Sequence, residues 1–123
     1  MTGRWLPLFA LCLGLCLAPP TAPAAEGPAV SIVIDPQAPP LEQFAARELA
    51  SLLESLYQAR ATLGPKLPPQ PQPTFVVGTP TTNRVLAEVA TTWPRLSEQG
   101  HLLRSIRLGD REVLAVGGGS PVA

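Results

Sequence analysis

Nine carboxylate residues, one histidine and two cysteines are the side chains of this 123-residue chain best suited to acid–base, nucleophilic or metal chemistry. A general base must stand within hydrogen-bond reach of the group it serves. No Ser or Cys nucleophile motif accompanies the single histidine, His101. The chain lacks a His-Glu-x-x-His zinc pattern and a Gly-x-Ser-x-Gly elbow. His101 follows Gly100 and reads as the first residue of a strand. Glycosidase acids work in pairs about 5–10 Å apart. Asp35, Glu42, Glu48, Glu54, Glu88, Glu98, Asp110 and Glu112 each fit a cap, an exposed face or a turn instead. No catalytic residue, no cofactor-binding residue, no metal ligand and no cofactor is assigned.

One turn has the form of an anion site. Gly78-Thr79-Pro80 follows an apolar run and opens a predicted helix, and free N–H groups at a helix start attract anions. The turn lacks Gly-x-Gly-x-x-Gly spacing and a phosphate-loop lysine. Thr79 is expected to cap the helix with its own side chain, so the structural reading is taken. Glu48 sits beside the apolar stripe of the first predicted helix and is expected to be a partly buried acid bonded to backbone or to an arginine.

The elements that must position these residues begin at Val30. Val30, Ile32, Val33 and Ile34 read as a buried strand, and Asp35-Pro36-Gln37-Ala38-Pro39 as a turn. A helix is predicted from Pro40 to Tyr57. Leu41, Ala45, Leu49, Leu52 and Leu56 recur at spacings of three and four, flanked by Phe44 and Leu53, which gives one apolar stripe. Pro40 suits a first helical turn and Glu42 complements its dipole. Residues 62–73 hold Pro65, Pro68, Pro69, Pro71 and Pro73. They read as an extended connector in preference to a docking motif for a proline-reading domain.

Residues 74–77 form a second short apolar strand. A helix is expected over 81–91, with Thr79 as N-cap, ending before Trp93-Pro94 because the residue before a proline resists helical geometry. Residues 102–108 and 111–116 flank Gly109-Asp110, a hairpin signal. That register pairs Ile106 with Val113, and Arg107 with Glu112. Both hairpin faces carry apolar residues, so the hairpin is expected inside a layered domain. The fold class is α/β (α+β), a mixed sheet of about four strands with helices packed on it.

Residues 1–24 read as a signal peptide. Arg4 supplies the positive start, 6–17 is an apolar run of 12 residues, and Ala22-Pro23-Ala24 fits a small-x-small cleavage site. The run is too short to span a bilayer, so a secreted or periplasmic chain with no membrane association after cleavage is expected. Cys12 and Cys16 leave with the leader. The remaining 99 residues then carry eight basic and nine acidic side chains. Without cysteine there is neither disulfide nor Cys–His zinc site, and without a basic patch no nucleic-acid partner.

Four short stretches carry a resemblance: Ala45-Ala46-Arg47-Glu48-Leu49; Phe75-Val76-Val77-Gly78-Thr79-Pro80 with Thr82-Asn83; Gly100-His101-Leu102-Leu103; and Leu114-Ala115-Val116-Gly117-Gly118. In this order they resemble the small α/β domain that precedes the catalytic barrel in bacterial alpha-glucuronidases and beta-hexosaminidases. The resemblance runs from Val30 onward and implies an accessory domain, 29–123, of a secreted glycoside hydrolase. Its implied partners are a catalytic barrel in the same polypeptide and a polysaccharide or other glycan. None of the family's catalytic motifs falls in these residues. The family continues from the glycine turn into another helix and then the barrel. This sequence stops at that turn, so a missing C-terminal element and an incomplete folding unit are expected. A free-standing secreted binding or interaction domain is the alternative.

Overall fold

The structure is a computed structural model that describes residues 27–119. The leader and its cleavage site lie outside the described residues. Five strands form one sheet: β1 (Ala29–Val33), β2 (Arg60–Gly64), β3 (Thr74–Val77), β4 (His101–Leu108) and β5 (Arg111–Gly118), in the order β2-β1-β3-β5-β4. All neighbours run parallel except β4 and β5. The fold is α/β with a mixed sheet, one strand richer than expected. The extra strand is β2, which takes Thr62, Leu63 and Gly64 from the predicted connector and makes an edge beside β1.

Helix α1 (Pro40–Tyr57) packs on one face of the sheet. Pro40 stands in its first turn, and Gln58, at φ 54°, ends it in the left-handed region. The face it buries is not the predicted one. Ala46 and Ala50 are buried, with Leu49 and Leu53 beside them against Ile32 and Val77. The predicted stripe is rotated outward instead, and Leu41, Phe44, Leu52 and Leu56 are exposed. Small side chains let the helix backbone approach the sheet closely, so the alanines won the contact over the larger leucines. Glu48 lies on that outer stripe and is exposed, contrary to expectation.

The opposite face carries a 3-10 helix, Arg84–Thr92, where an ordinary helix over 81–91 was expected. Its N-cap is Asn83 rather than Thr79, the Asn83 side chain accepting from Val85 N at 3.1 Å. Leu86, with Val85, Val89 and Trp93, covers Val33, Val76, Val113 and Ala115. The proline connector adds Leu67 to this cluster. Arg111 ties the connector down, its guanidinium donating to the carbonyls of Pro68 and Pro69.

The β4–β5 hairpin keeps the predicted register, Ile106 opposite Val113 and Arg107 opposite Glu112. It is not interior. β4 is an outer strand and mostly exposed, with Leu103 70% accessible. Only its Leu102, Ile106 and Leu108 side is even partly covered. On the α1 side, the β5–β4 half of the sheet has no helix over it among the described residues.

Candidate functional site

Open α/β sheets usually bind ligands where neighbouring strands send their chains to opposite faces. Here that point lies between the ends of β1 and β3, and the chain fills it with its own side chains. Asn83, 1% exposed, donates through Nδ2 to Val77 O at 2.9 Å and Val33 O at 3.3 Å. Asp35 Oδ1 accepts from Gln37 N at 2.9 Å, and Oδ2 pairs with Arg84 Nε at 3.3 Å. The predicted anion turn is likewise satisfied internally. Thr79 N donates to Thr82 Oγ1 at 2.8 Å, and Thr81 N to Thr79 Oγ1 at 3.3 Å.

The open space lies one strand further along, between β3 and β5 on the α1 side. It is a cleft of about 330 Å³ lined by Leu41, Glu42 and Ala45 of α1, Val77 and Gly78 at the end of β3, Val116 to Gly118 of β5, and His101 to Leu103 of β4. Two glycines shape it. Gly78 has φ 128°, and a Cβ there would meet Thr82 Oγ1 at 2.9 Å. A Cβ at Gly117 would stand 2.6 Å from Gly78 O, so only glycine lets the two strands close up here.

Glu42 is the one acid in the cleft lining. Its Oε1 accepts from Thr82 Oγ1 at 3.1 Å, while Oε2 is buried with no hydrogen-bond partner. Burial pushes its carboxyl above the usual range, and the Thr82 bond only partly opposes this. His101 opens β4 as expected, lies exposed on the rim, and its ring makes no hydrogen bond or ion pair among the described residues. Glu112 accepts from Ser105 on the outer surface. Among the described residues no group of three or more His, Cys, Asp or Glu could hold a metal ion, and no helix is long and apolar enough to cross a membrane.

No protein-family model and no curated protein matches the chain.

The cleft offers apolar contact, the Glu42 carboxyl and, at its rim, the His101 ring. Sequence reading missed it because its walls come from four separate segments, which only the strand order brings together. Sequence reading also missed Asn83, whose only signal was a polar side chain six residues past a buried strand end.

Proposed function

We propose that this chain is a secreted, non-catalytic α/β accessory domain of a carbohydrate-active glycoside hydrolase. Its α1-side cleft docks further polypeptide of the same enzyme, and the reacting carboxylates stand on a catalytic barrel elsewhere in that polypeptide. The observation that supports this is uncovered apolar surface at the cleft, where Leu41 and Leu103 line it, and along α1 beyond it. Leu41, Phe44, Leu52 and Leu56 line the outer side of α1, and Leu103 projects from the bare half of the sheet. All four stretches that resemble the glycosidase accessory domain contribute to the lining of the cleft, through Ala45, through Val77 and Gly78, through His101 to Leu103, and through Val116 to Gly118. Covering about 200 Å² of such surface is worth about 5 kcal/mol at roughly 25 cal/mol per Å², comparable with the whole stability of a small domain.

The test compares the chain without its leader, residues 25–123, with a form extended through the downstream reading frame. The short chain should bind a hydrophobic dye, self-associate and hydrolyse no aryl glycoside. The extended form should lose the dye binding and gain glycosidase activity. A short chain that is monomeric, dye-silent and melts cooperatively above about 60 °C, the upper mesophile range, would overturn the reading in favour of a free-standing binding domain.

A further inference from the structure

We infer that the outer edge of β4 accepts an added strand from a partner polypeptide, an extended acidic segment whose carboxylates stand opposite Arg104 and Arg107. β4 runs for eight residues and pairs with β5 at every one of them, without bulge or proline. Edge strands are normally kept short, bulged or interrupted by proline, because an open row of N–H and C=O groups recruits other strands. β4 uses none of these devices. Its protection is charge, and charge discriminates between partners instead of excluding them all.

The open backbone groups follow from the hairpin register. Gly119 N donates to Gly100 O at 2.8 Å, so Gly100 and Gly119 form a hydrogen-bonded pair. Such pairs alternate along an antiparallel ladder, which turns the N–H and C=O of Leu102, Arg104, Ile106 and Leu108 toward β5. Those of His101, Leu103, Ser105 and Arg107 point out of the edge, with no strand beyond them among the described residues. A segment laid antiparallel to β4 bonds to Leu103, Ser105 and Arg107.

The side chains set the sequence that fits. Residues directly opposite one another on antiparallel strands have Cβ atoms about 4.5–5.5 Å apart, close enough for opposite charges to meet. Arg104 and Arg107 are both exposed, and neither side chain makes a hydrogen bond or ion pair among the described residues. The one acid paired with either of them, Glu112, accepts from Ser105. Successive side chains alternate between faces. Arg104 therefore stands with Ile106 on the side of the 3-10 helix, and Arg107 with Leu103 on the α1 side. A pocket of about 220 Å³ opens beside the edge, with Trp93, Thr92, Arg104 and Arg107 in its lining and no acid. It is smaller than small-molecule sites of roughly 300–1,000 Å³ and suits one inserted side chain. Strand addition commonly places alternate side chains of the incoming segment in such pockets. The matching segment has an acid opposite Arg107, an apolar residue opposite Ile106, a polar one opposite Ser105, an acid opposite Arg104 and an apolar residue opposite Leu103.

This edge lies in the plane of the sheet and the α1 cleft on one face, so the inference does not rest on the docking proposal, whose readout is dye binding. The experiment adds the end-capped heptapeptide Thr-Glu-Val-Thr-Glu-Val-Val to the chain without its leader, residues 25–123, and follows amide shifts and hydrogen exchange by NMR. The amides of Leu103, Ser105 and Arg107 should shift saturably, with Kd on the order of 0.1–1 mM, and should exchange more slowly. Leu102, Arg104 and Ile106, already bonded to β5, should change little in exchange. A peptide with Lys in place of both Glu should bind about tenfold more weakly. A peptide with Pro in place of the central Thr keeps the charges but loses the N–H that meets Ser105, and should also bind about tenfold more weakly. Both arginines are exposed, so Arg104→Glu combined with Arg107→Glu leaves the fold intact and should reverse the preference toward the Lys peptide. The inference is overturned by no saturable shift at these three amides, by equal binding of the Lys or Pro peptide, by no reversal in the double variant, or by slow exchange of the three amides before any peptide is added, which would assign the edge to a second copy.

Discussion

Thr82 Oγ1 donates to Glu42 Oε1 at 3.1 Å, joining the first turn of α1 to the turn that follows β3 across 40 residues of sequence. The same hydroxyl accepts from Thr79 N, so one side chain fixes both a helix start and a strand exit. The second Glu42 oxygen has no such partner, and that sets the first prediction.

Glu42 binds its proton more tightly in the folded chain than its ordinary value of 4.5, because burial disfavours the carboxylate. The folded state therefore holds more of this proton than the unfolded state, and stability falls as pH rises through that range. The contribution is fully present below about 4.5 and is lost as pH climbs past the raised folded value. Glu42→Gln keeps an acceptor for Thr82 and removes the titration. Thermal melts from acid to neutral pH should show this component of the slope vanish in the variant, with the variant at least as stable at neutral pH. An unchanged slope would refute the assignment.

Asn83 makes two strand-bridging bonds and one cap bond while almost wholly buried. Asn83→Ala should cost about 2–4 kcal/mol, because it leaves buried carbonyls and an N–H unpaired. Asn83→Asp keeps the cap acceptor but turns a carboxylate toward two carbonyls, and should be no better. Urea unfolding measures both. A loss below about 0.5 kcal/mol, the usual range of surface changes, would show that the bridge is unimportant.

The rotation of α1 makes a paired prediction. Ala46 is fully buried and Leu52 is 53% exposed. Ala46→Leu should overpack the sheet contact and cost about 1–3 kcal/mol. Leu52→Gln should change stability by less than about 0.5 kcal/mol and should reduce dye binding and association. The reverse pattern would restore the stripe read from sequence.

Gly78→Ala tests the turn. At φ 128° with a contact of 2.9 Å to Thr82, a Cβ meets strain and a clash at once. A loss of about 1–3 kcal/mol is expected from the backbone strain, measured by the shift in melting temperature. Gly109, also at positive φ, has open space around it, with no atom within 4 Å of an added methyl, so Gly109→Ala should cost less.

Local signals were legible and long-range choices were not. Gly109-Asp110 set the hairpin register because turn chemistry acts within a few residues. Pro40 marked the start of α1 for the same reason. The buried side of α1 was not legible, because its apolar arc is wide enough to hold two stripes and only the sheet decides between leucine and alanine. β2 was hidden because Arg60, Ala61 and Thr62 form no apolar run, and their strand exists by pairing with β1. The start of the 3-10 helix was misplaced because Thr79, Thr82 and Asn83 are all competent caps, and the buried carbonyls of Val33 and Val77 favour the asparagine amide.

The two outermost strands each carry arginine, Arg60 on β2, and Arg104 and Arg107 on β4. Unpaired strand backbones recruit other strands, and charge along them is a common defence against runaway fibre growth. A copy that approaches either rim in the plane of the sheet brings its own arginines against like charge. Growth sideways is discouraged while the broad apolar flank remains sticky. Any stray clumping of this protein should therefore be amorphous and reversible by detergent, with no rise in thioflavin fluorescence.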